Sequence, residues 1–265
     1  MRTFPSGGPI SATLRLPAGA CTVDLASGAV TLQVYPLDPG RKEDVEAAEG
    51  VEVQFSGGRL QVQSRDTLWR KVVGFGPGRL RVALGLPPES SLTLDTASAS
   101  LNVTGGLGDL TVNGGSGDVT VDCVTGSVRV DTAASQIRLG QVAGDVTIDN
   151  GSGSADIDQV SGTVRMNGSS GDLVLGSAAG EVHFSSASGN LRIGVASGPR
   201  VVAKTSSGNV SMGVPSGIGV RPQVRSSNGA RLGELVHGAE PGPGHHWLEV
   251  DVNTASGDTD IHALG

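Results

Sequence analysis

The chain has 265 residues, a formal net charge of −7, 42 glycines and only seven aromatic residues. That length suits one large domain or two small ones, and an excess of Gly, Ser, Thr, Val and Asp argues against a helical protein. No apolar run approaches the roughly 20 residues of a membrane-spanning helix. The acidic balance speaks against a nucleic-acid partner, and Cys21 and Cys123 are too few and too far apart for a disulfide framework or a zinc site.

In chain order, the first 89 residues alternate apolar and polar side chains in short strands. These are expected at Ile10–Leu16, Cys21–Leu25, Ala29–Val34, Val51–Phe55, Arg59–Gln63 and Arg79–Leu84. Two stretches interrupt them. Pro36–Gly50 holds Asp44-Val45-Glu46-Ala47-Ala48-Glu49, enough for one helical turn, and Ser64–Gly78 holds Trp69 and Phe75. The N-terminus has no apolar segment of the signal-peptide kind, so the expected location is cytoplasmic, with an exported form still open.

From Ser90 a nine-residue period takes over. Gly108, Gly117, Gly126, Gly144, Gly153, Gly162, Gly171, Gly180, Gly189 and Gly198 share one register, with Ser135 in the internal gap and Ala99 and Ser90 extending it backwards. Each unit pairs two apolar residues around one polar position, as in Leu110/Val112, Val128/Val130, Ile137/Leu139, Leu173/Leu175 and Leu191/Ile193. A strand that short has one apolar face and must stack on its sequence neighbours to bury it. The small residues between strands suit tight corners, which need positive φ or close backbone approach.

The eighth position of the unit sets the size of a turn. It alternates between larger residues (Val124, Val142, Val160, Ala178, Ala196) and smaller ones (Gly115, Ala133, Gly151, Ser169, Ala187). Two units therefore make one coil. Stacked at that interval, the fourth position reads Thr111, Arg129, Thr147, Arg165, His183, which keeps like charges from meeting in a ladder.

Beyond residue 213 the period loosens, with strands expected at Val220–Arg225, Gly229–Leu232, Trp247–Val252 and Gly257–Ile261. Six aromatics (Phe4, Tyr35, Phe55, Trp69, Phe75, Trp247) lie outside the regular units and one, Phe184, inside. Their places suit covers for exposed strand edges. The fold expected is all-β, a parallel β-helix (β-solenoid) with two nine-residue units per coil and irregular capping ends. It is read as one continuous domain over 1–265: irregular N-terminal strands and cap (1–89), regular repeats (90–213), and C-terminal strands and cap (214–265).

The Gly-Asp-Leu/Val-x-Val units follow a Gly-Arg-Leu-x-Val strand (Gly58–Val62) and a Leu-Pro-x-x-Ser turn (Leu86–Ser90), and Ala255-Ser256-Gly257-Asp258 closes the series. Together they resemble the bacterial "putative adhesin" β-strand-repeat family, domain of unknown function 4097, over nearly the whole chain. The resemblance implies a parallel β-helix, an uncharacterised role and an adhesin label that rests on architecture. It brings no catalytic or binding residue with it.

Candidate chemistry is sparse. The calcium-binding β-roll needs paired Gly- and Asp-rich turns, and only Gly151-Ser152-Gly153-Ser154-Ala155-Asp156 approaches that unit. Rows such as Asp109, Ser127, Asp145, Thr163, Glu181 and Asp118, Gln136, Ser154, Asp172, Asn190 set carboxylates about 9–10 Å apart two coils on, a spacing open to an inverting glycosidase. Their regular interleaving reads instead as avoidance of self-repulsion. His237, His245, His246 and His262 gather near the C-terminus without metal-ligand spacing. Arg65, Trp69, Arg70, Lys71 and Phe75 form a basic and aromatic segment suited to an anionic partner, or equally to an end cap.

No catalytic residue, cofactor or metal is expected. The leading reading is a non-enzymatic scaffold that offers a regular polar surface to a protein or surface-glycan partner. One alternative is an intracellular accessory of a stress-response or regulatory system that binds a protein through its caps. A carbohydrate-acting β-helix enzyme is the least supported. The assembly expected is a monomer or small closed homo-oligomer.

Overall fold

The computed structural model describes residues 1–25, 28–64, 78–227, 230–232 and 247–264. They are almost entirely β-structure, and the chain divides into two compact units, Met1–Gln136 and Ile137–Gly265.

The first unit contains β1 (Arg2–Phe4), β2 (Ser11–Asp24), β3 (Val30–Pro36), α1 (Lys42–Glu49), β4 (Val51–Ser56), β5 (Arg59–Ser64), β6 (Arg79–Gly85), β7 (Ser91–Leu107), β8 (Leu110–Ser116), β9 (Val119–Val124) and β10 (Val128–Ala134). Strand pairing is parallel wherever the repeat operates. Leu92 lies beside Leu110 and Leu110 beside Val128, while Leu101 lies beside Val119. Each partner is thus two repeats further along the chain.

The N-terminal strands do not follow that order. β2 is one strand where two were expected, and it pairs with β7 on one side and with β5 and β6 on the other. The first long strand of the chain is therefore inserted between later ones. Outside it the pairing turns antiparallel, β3 against β6, β4 against β5 and β1 against β3. The helical turn expected near residue 44 is an eight-residue helix. Its Asp44 is fully buried, accepting the backbone N–H of Asp38 (3.1 Å) and of Arg79 (2.9 Å) with the Arg79 Nε at 3.3 Å. This carboxylate fastens α1 to the start of β6.

The second unit contains β11 (Ile137–Val142), β12 (Val146–Ser152), β13 (Ala155–Val160), β14 (Val164–Ser170), β15 (Leu173–Ala178), β16 (Val182–Ser186), β17 (Leu191–Ala196), β18 (Arg200–Thr205), β19 (Val210–Val214), β20 (Gly219–Ser226), β21 (Ala230–Leu232), β22 (Trp247–Thr254) and β23 (Thr259–Ala263). Two parallel ladders run through it. One reads β12, β14, β16, β18, β22, β20, and the other β11, β13, β15, β17, β19, β23, β21.

Inward side chains form continuous apolar rows. Leu173, Leu191 and Val210 follow one another, as do Ile157, Leu175, Ile193 and Met212, all essentially inaccessible. Each such residue contributes roughly 1.5–3 kcal/mol by leaving water. Phe184 occupies the row between Met166 and Ala203, 2% exposed. Small Ala203 beside it leaves volume for the ring, so this interior accepts an aromatic where its neighbour is small.

The grid glycines answer to close approach more than to dihedral freedom. A Cβ on Gly162, Gly180 or Gly198 would strike the carbonyl of Gly144, Gly162 or Gly180, the residue two repeats earlier. Gly117 and Gly153, by contrast, also carry positive φ, +132° and +137°.

Candidate interaction surface

The outward positions of the ladders are the part of the molecule available to a partner. In the second unit one row runs Thr147, Arg165, His183, Val202, Asp251, Gln223. A parallel row runs Asp149, Asn167, Ser185, Lys204, Asn253, Arg225. On the other ladder Arg138, Asp156, Val174, Arg192, Ser211 and Asp260 follow one another. No two like charges are neighbours in any of the three, so each ladder avoids repulsion that would oppose stacking. In the first unit Thr93, Thr111 and Arg129 make the equivalent row.

The acidic residues that head the strands are engaged structurally. Asp109 Oδ1 accepts the Ser127 N–H at 2.8 Å, and Asp145 Oδ1 accepts that of Thr163 at the same distance. Asp172 Oδ1 accepts both the backbone and side-chain N–H of Asn190, at 2.8 and 2.9 Å. The relay continues through the side-chain oxygens of Asn190 and Asn209 to the N–H of Asp258. These carboxylates satisfy backbone donors at strand starts, which explains why Asp alternates with Ser, Thr or Asn. Asp109, Asp145 and Asp172 are thus each tied to a backbone donor two repeats away.

Other carboxylates hold neighbouring amides. Asn113 Nδ2 donates to Asp95 Oδ1 at 2.8 Å, and Asn167 Nδ2 to Asp149 Oδ1 at 2.9 Å. His183 Nε2 lies 3.1 Å from Glu181 Oε2, and His262 Nδ1 lies 3.4 Å from Asp260 Oδ2. Among the described residues no three His, Cys, Asp or Glu side chains gather as a metal site would require. No helix among them is long and apolar enough to cross a membrane.

The described aromatics sit apart from these rows. Phe4 and Phe55 pack with ring centroids 5.1 Å apart, and Tyr35 remains 49% exposed with its hydroxyl donating to Gln33. The Arg221 guanidinium lies 4.3 Å from the centre of the Trp247 ring, a cation–π contact. Beside it Arg200, Arg221, Gln223, Glu249, Val250 and Asp251 line a shallow depression of about 140 Å³. Sequence spacing does not single out this charged group, because Glu249 stands between Arg200 and Arg221 only through the inserted position of β22. Arg65, Trp69, Arg70, Lys71 and Phe75, with His237, His245 and His246, lie outside the described residues.

Comparison with known proteins adds a family. A family model described as Toastrack DUF4097 matches residues 13–262. A crystal structure of a "putative adhesin" from Bacteroides fragilis aligns over 99% of this chain and 95% of its own at a TM-score of 0.52 and 11% identity. At that identity the likeness is one of fold. A "putative adhesin" from Parabacteroides distasonis aligns over the same shares with a TM-score of 0.40 and 11% identity. A "putative lipid binding protein" from that organism covers 100% of this chain and 96% of its own with a TM-score of 0.31 and 10% identity. No curated protein matches the sequence.

Proposed function

The chain belongs to the Toastrack DUF4097 family, and on that premise we propose that it is a non-enzymatic β-solenoid scaffold presenting a regular polar surface to a macromolecular partner. The observation that carries this reading is the set of outward rows, in which mostly polar side chains of mixed type, such as Thr147, Arg165 and His183, follow one another at one strand spacing. A regular array of that kind meets a repetitive or extended partner through many weak contacts, whose sum is large only when the spacing matches. The hydrogen-bonded carboxylates at strand starts support the absence of acid–base chemistry, since their oxygens already hold backbone donors.

The finer architecture belongs to the same proposal. Two nine-residue units make one coil, because register partners lie two units apart along the chain. The grid passes through residue 136 without a break, which favours one continuous domain. Arg65, Trp69, Arg70, Lys71 and Phe75 are proposed as a contact for an anionic partner. Location separates a surface adhesin from an intracellular accessory that binds through its ends, the latter favoured by the exposed Arg221 and Arg225 of β20.

Affinity capture from the native host tests the reading, using the wild type beside a triple variant Arg138→Ser, Arg165→Ser, Arg192→Ser with unchanged circular dichroism. A partner held by the wild type and weakened at least tenfold by the variant is the expected result. A partner held equally by both removes these outward rows from the reading. Release of soluble sugar from polysaccharides by the purified protein overturns the non-enzymatic assignment.

A further inference from the structure

The C-terminal strands occupy an unexpected layer. β18 and β19 are followed in the chain by β20 and β21, yet the two pairs do not pair with each other. β22 lies between β18 and β20, and β23 between β19 and β21. The last strands of the chain fill a slot one strand wide, so the walls of that slot stand about 9–10 Å apart, two strand spacings.

The filling segment is bound as core. Leu248, Val250, Val252 and Ile261 are no more than 1% exposed. Val250 sits against Val201 and Val252 against Ala203 on one wall, with Leu248 against Val220 and Val252 against Val224 on the other. Thr254 Oγ1 donates to the Gly208 carbonyl at 3.1 Å, Ser226 Oγ donates to that of Gly257 at 2.8 Å, and the Asp258 N–H donates to Asn209 Oδ1 at 2.8 Å. All these contacts are non-covalent, and none depends on which copy of the chain supplies the segment.

Two further features bear on how copies can meet. The Glu249 N–H donates to the Pro199 carbonyl, so residues 249, 251 and 253 turn their backbone groups to β18 and their neighbours turn to β20. By the same alternation Arg221, Gln223 and Arg225 face β22, and Pro222 faces outward. Proline has no N–H to donate, so the outer edge of β20 is blocked to an added strand. Meanwhile β21 is joined to β22 by the long segment 233–246, whereas 179–181 suffice between β15 and β16.

From these observations we infer that residues 247–264 are exchangeable: the strand pair of one copy fills the slot of a second copy, and reciprocal exchange closes a two-fold dimer. Exchange reproduces every contact of the closed monomer, which is why it carries little equilibrium penalty. It needs the slot to open first, so it is slow and is accelerated by mild heat or denaturant.

Trapping by disulfide formation decides it. Val202 and Asp251 are register neighbours across β18 and β22. In a Cys123→Ser background, one full-length protein carries Val202→Cys and another, differently tagged, carries Asp251→Cys. After co-incubation in mild denaturant, return to buffer and oxidation, the covalent heterodimer is expected in at least tenfold excess over a control pair of Thr147→Cys with Asp251→Cys, positions four strands apart in the ladder. A third protein bearing both Val202→Cys and Asp251→Cys, oxidised without denaturant, is expected to close internally as a monomer. Heterodimer at control level, with the internal disulfide formed, overturns the exchange. Failure of the internal disulfide removes the register on which the slot rests and overturns the proposal too.

Discussion

Val160 and Ser169 occupy the same place, the eighth, in consecutive nine-residue units, yet they face different surroundings. Val160 is 3% exposed, in a row with Val142 and Ala178, whereas Ser169 is exposed. Both use their carbonyls in the backbone network, Val160 accepting the Ala179 N–H and Ser169 those of Ala187 and Ser188. Exchanging side chains therefore leaves those bonds intact. Val160→Ser forfeits about 1.5–2 kcal/mol of apolar burial and leaves a hydroxyl in an apolar row at a cost of about 1–3 kcal/mol. The sum is roughly 2.5–5 kcal/mol. Ser169→Val at an exposed site is expected to stay within about 0.5 kcal/mol. With about 2–4 °C per kcal/mol for a chain of this size, Val160→Ser lowers Tm by roughly 5–20 °C, and Ser169→Val moves it by about 2 °C at most. Thermal melts by circular dichroism at one pH and salt concentration give both values. Equal shifts in the two variants would falsify the alternation of buried and exposed eighth positions, and with it the coil of two units.

Burial pushes the Cys21 thiol up from 9.0 to about 12. Between those values the folded chain keeps a proton that the unfolded chain has released, so stability falls as pH rises above 9, by about 1.4 kcal/mol per unit. Urea melts at pH 8, 9 and 10 should show this slope in the wild type and lose it in Cys21→Val, and thiol labelling of the native protein at pH 8 should mark Cys123 alone. A chelator is expected to leave Tm unchanged; a loss of several degrees would reveal a metal in the fold. A fragment of residues 90–213 lacks both β2, which covers β7, and the strands that cover β18 and β19. It should elongate or aggregate, as followed by light scattering and electron microscopy, and a monodisperse folded fragment would show that the ends are not covers.

Much of the repeat could be read from residue types alone. Apolar pairs two residues apart require a short strand with one buried face, and recurrence every nine residues requires that strands stack on their own kind. The alternation of Val124, Val142 and Val160 with Gly115, Ala133 and Gly151 matches buried against more exposed positions, because a buried position tolerates fewer side chains than an exposed one. Inferring partners from a sequence repeat works from β8 to β17 because register partners there lie 18 residues apart along the chain.

Where contacts leave that separation, only the tertiary structure decides. Nothing in Ser11–Asp24 says that it lies between β7 and the later strands β5 and β6, nor in Trp247–Ala263 that it enters between residues 214 and 219. These segments have the same alternation as any half-buried strand, and alternation sets which face is buried but not which neighbour is met. The role of Asp109, Asp145 and Asp172 was hidden for a related reason. An Asp at the head of a strand is compatible with a turn, a metal site or a catalytic pair, and the N–H that engages each of these three belongs to a residue two repeats away. Composition and period thus determined the local strand and its repeat, which depend on near neighbours. The order of the terminal layers and the partners of the polar side chains depend on contacts that no local pattern encodes.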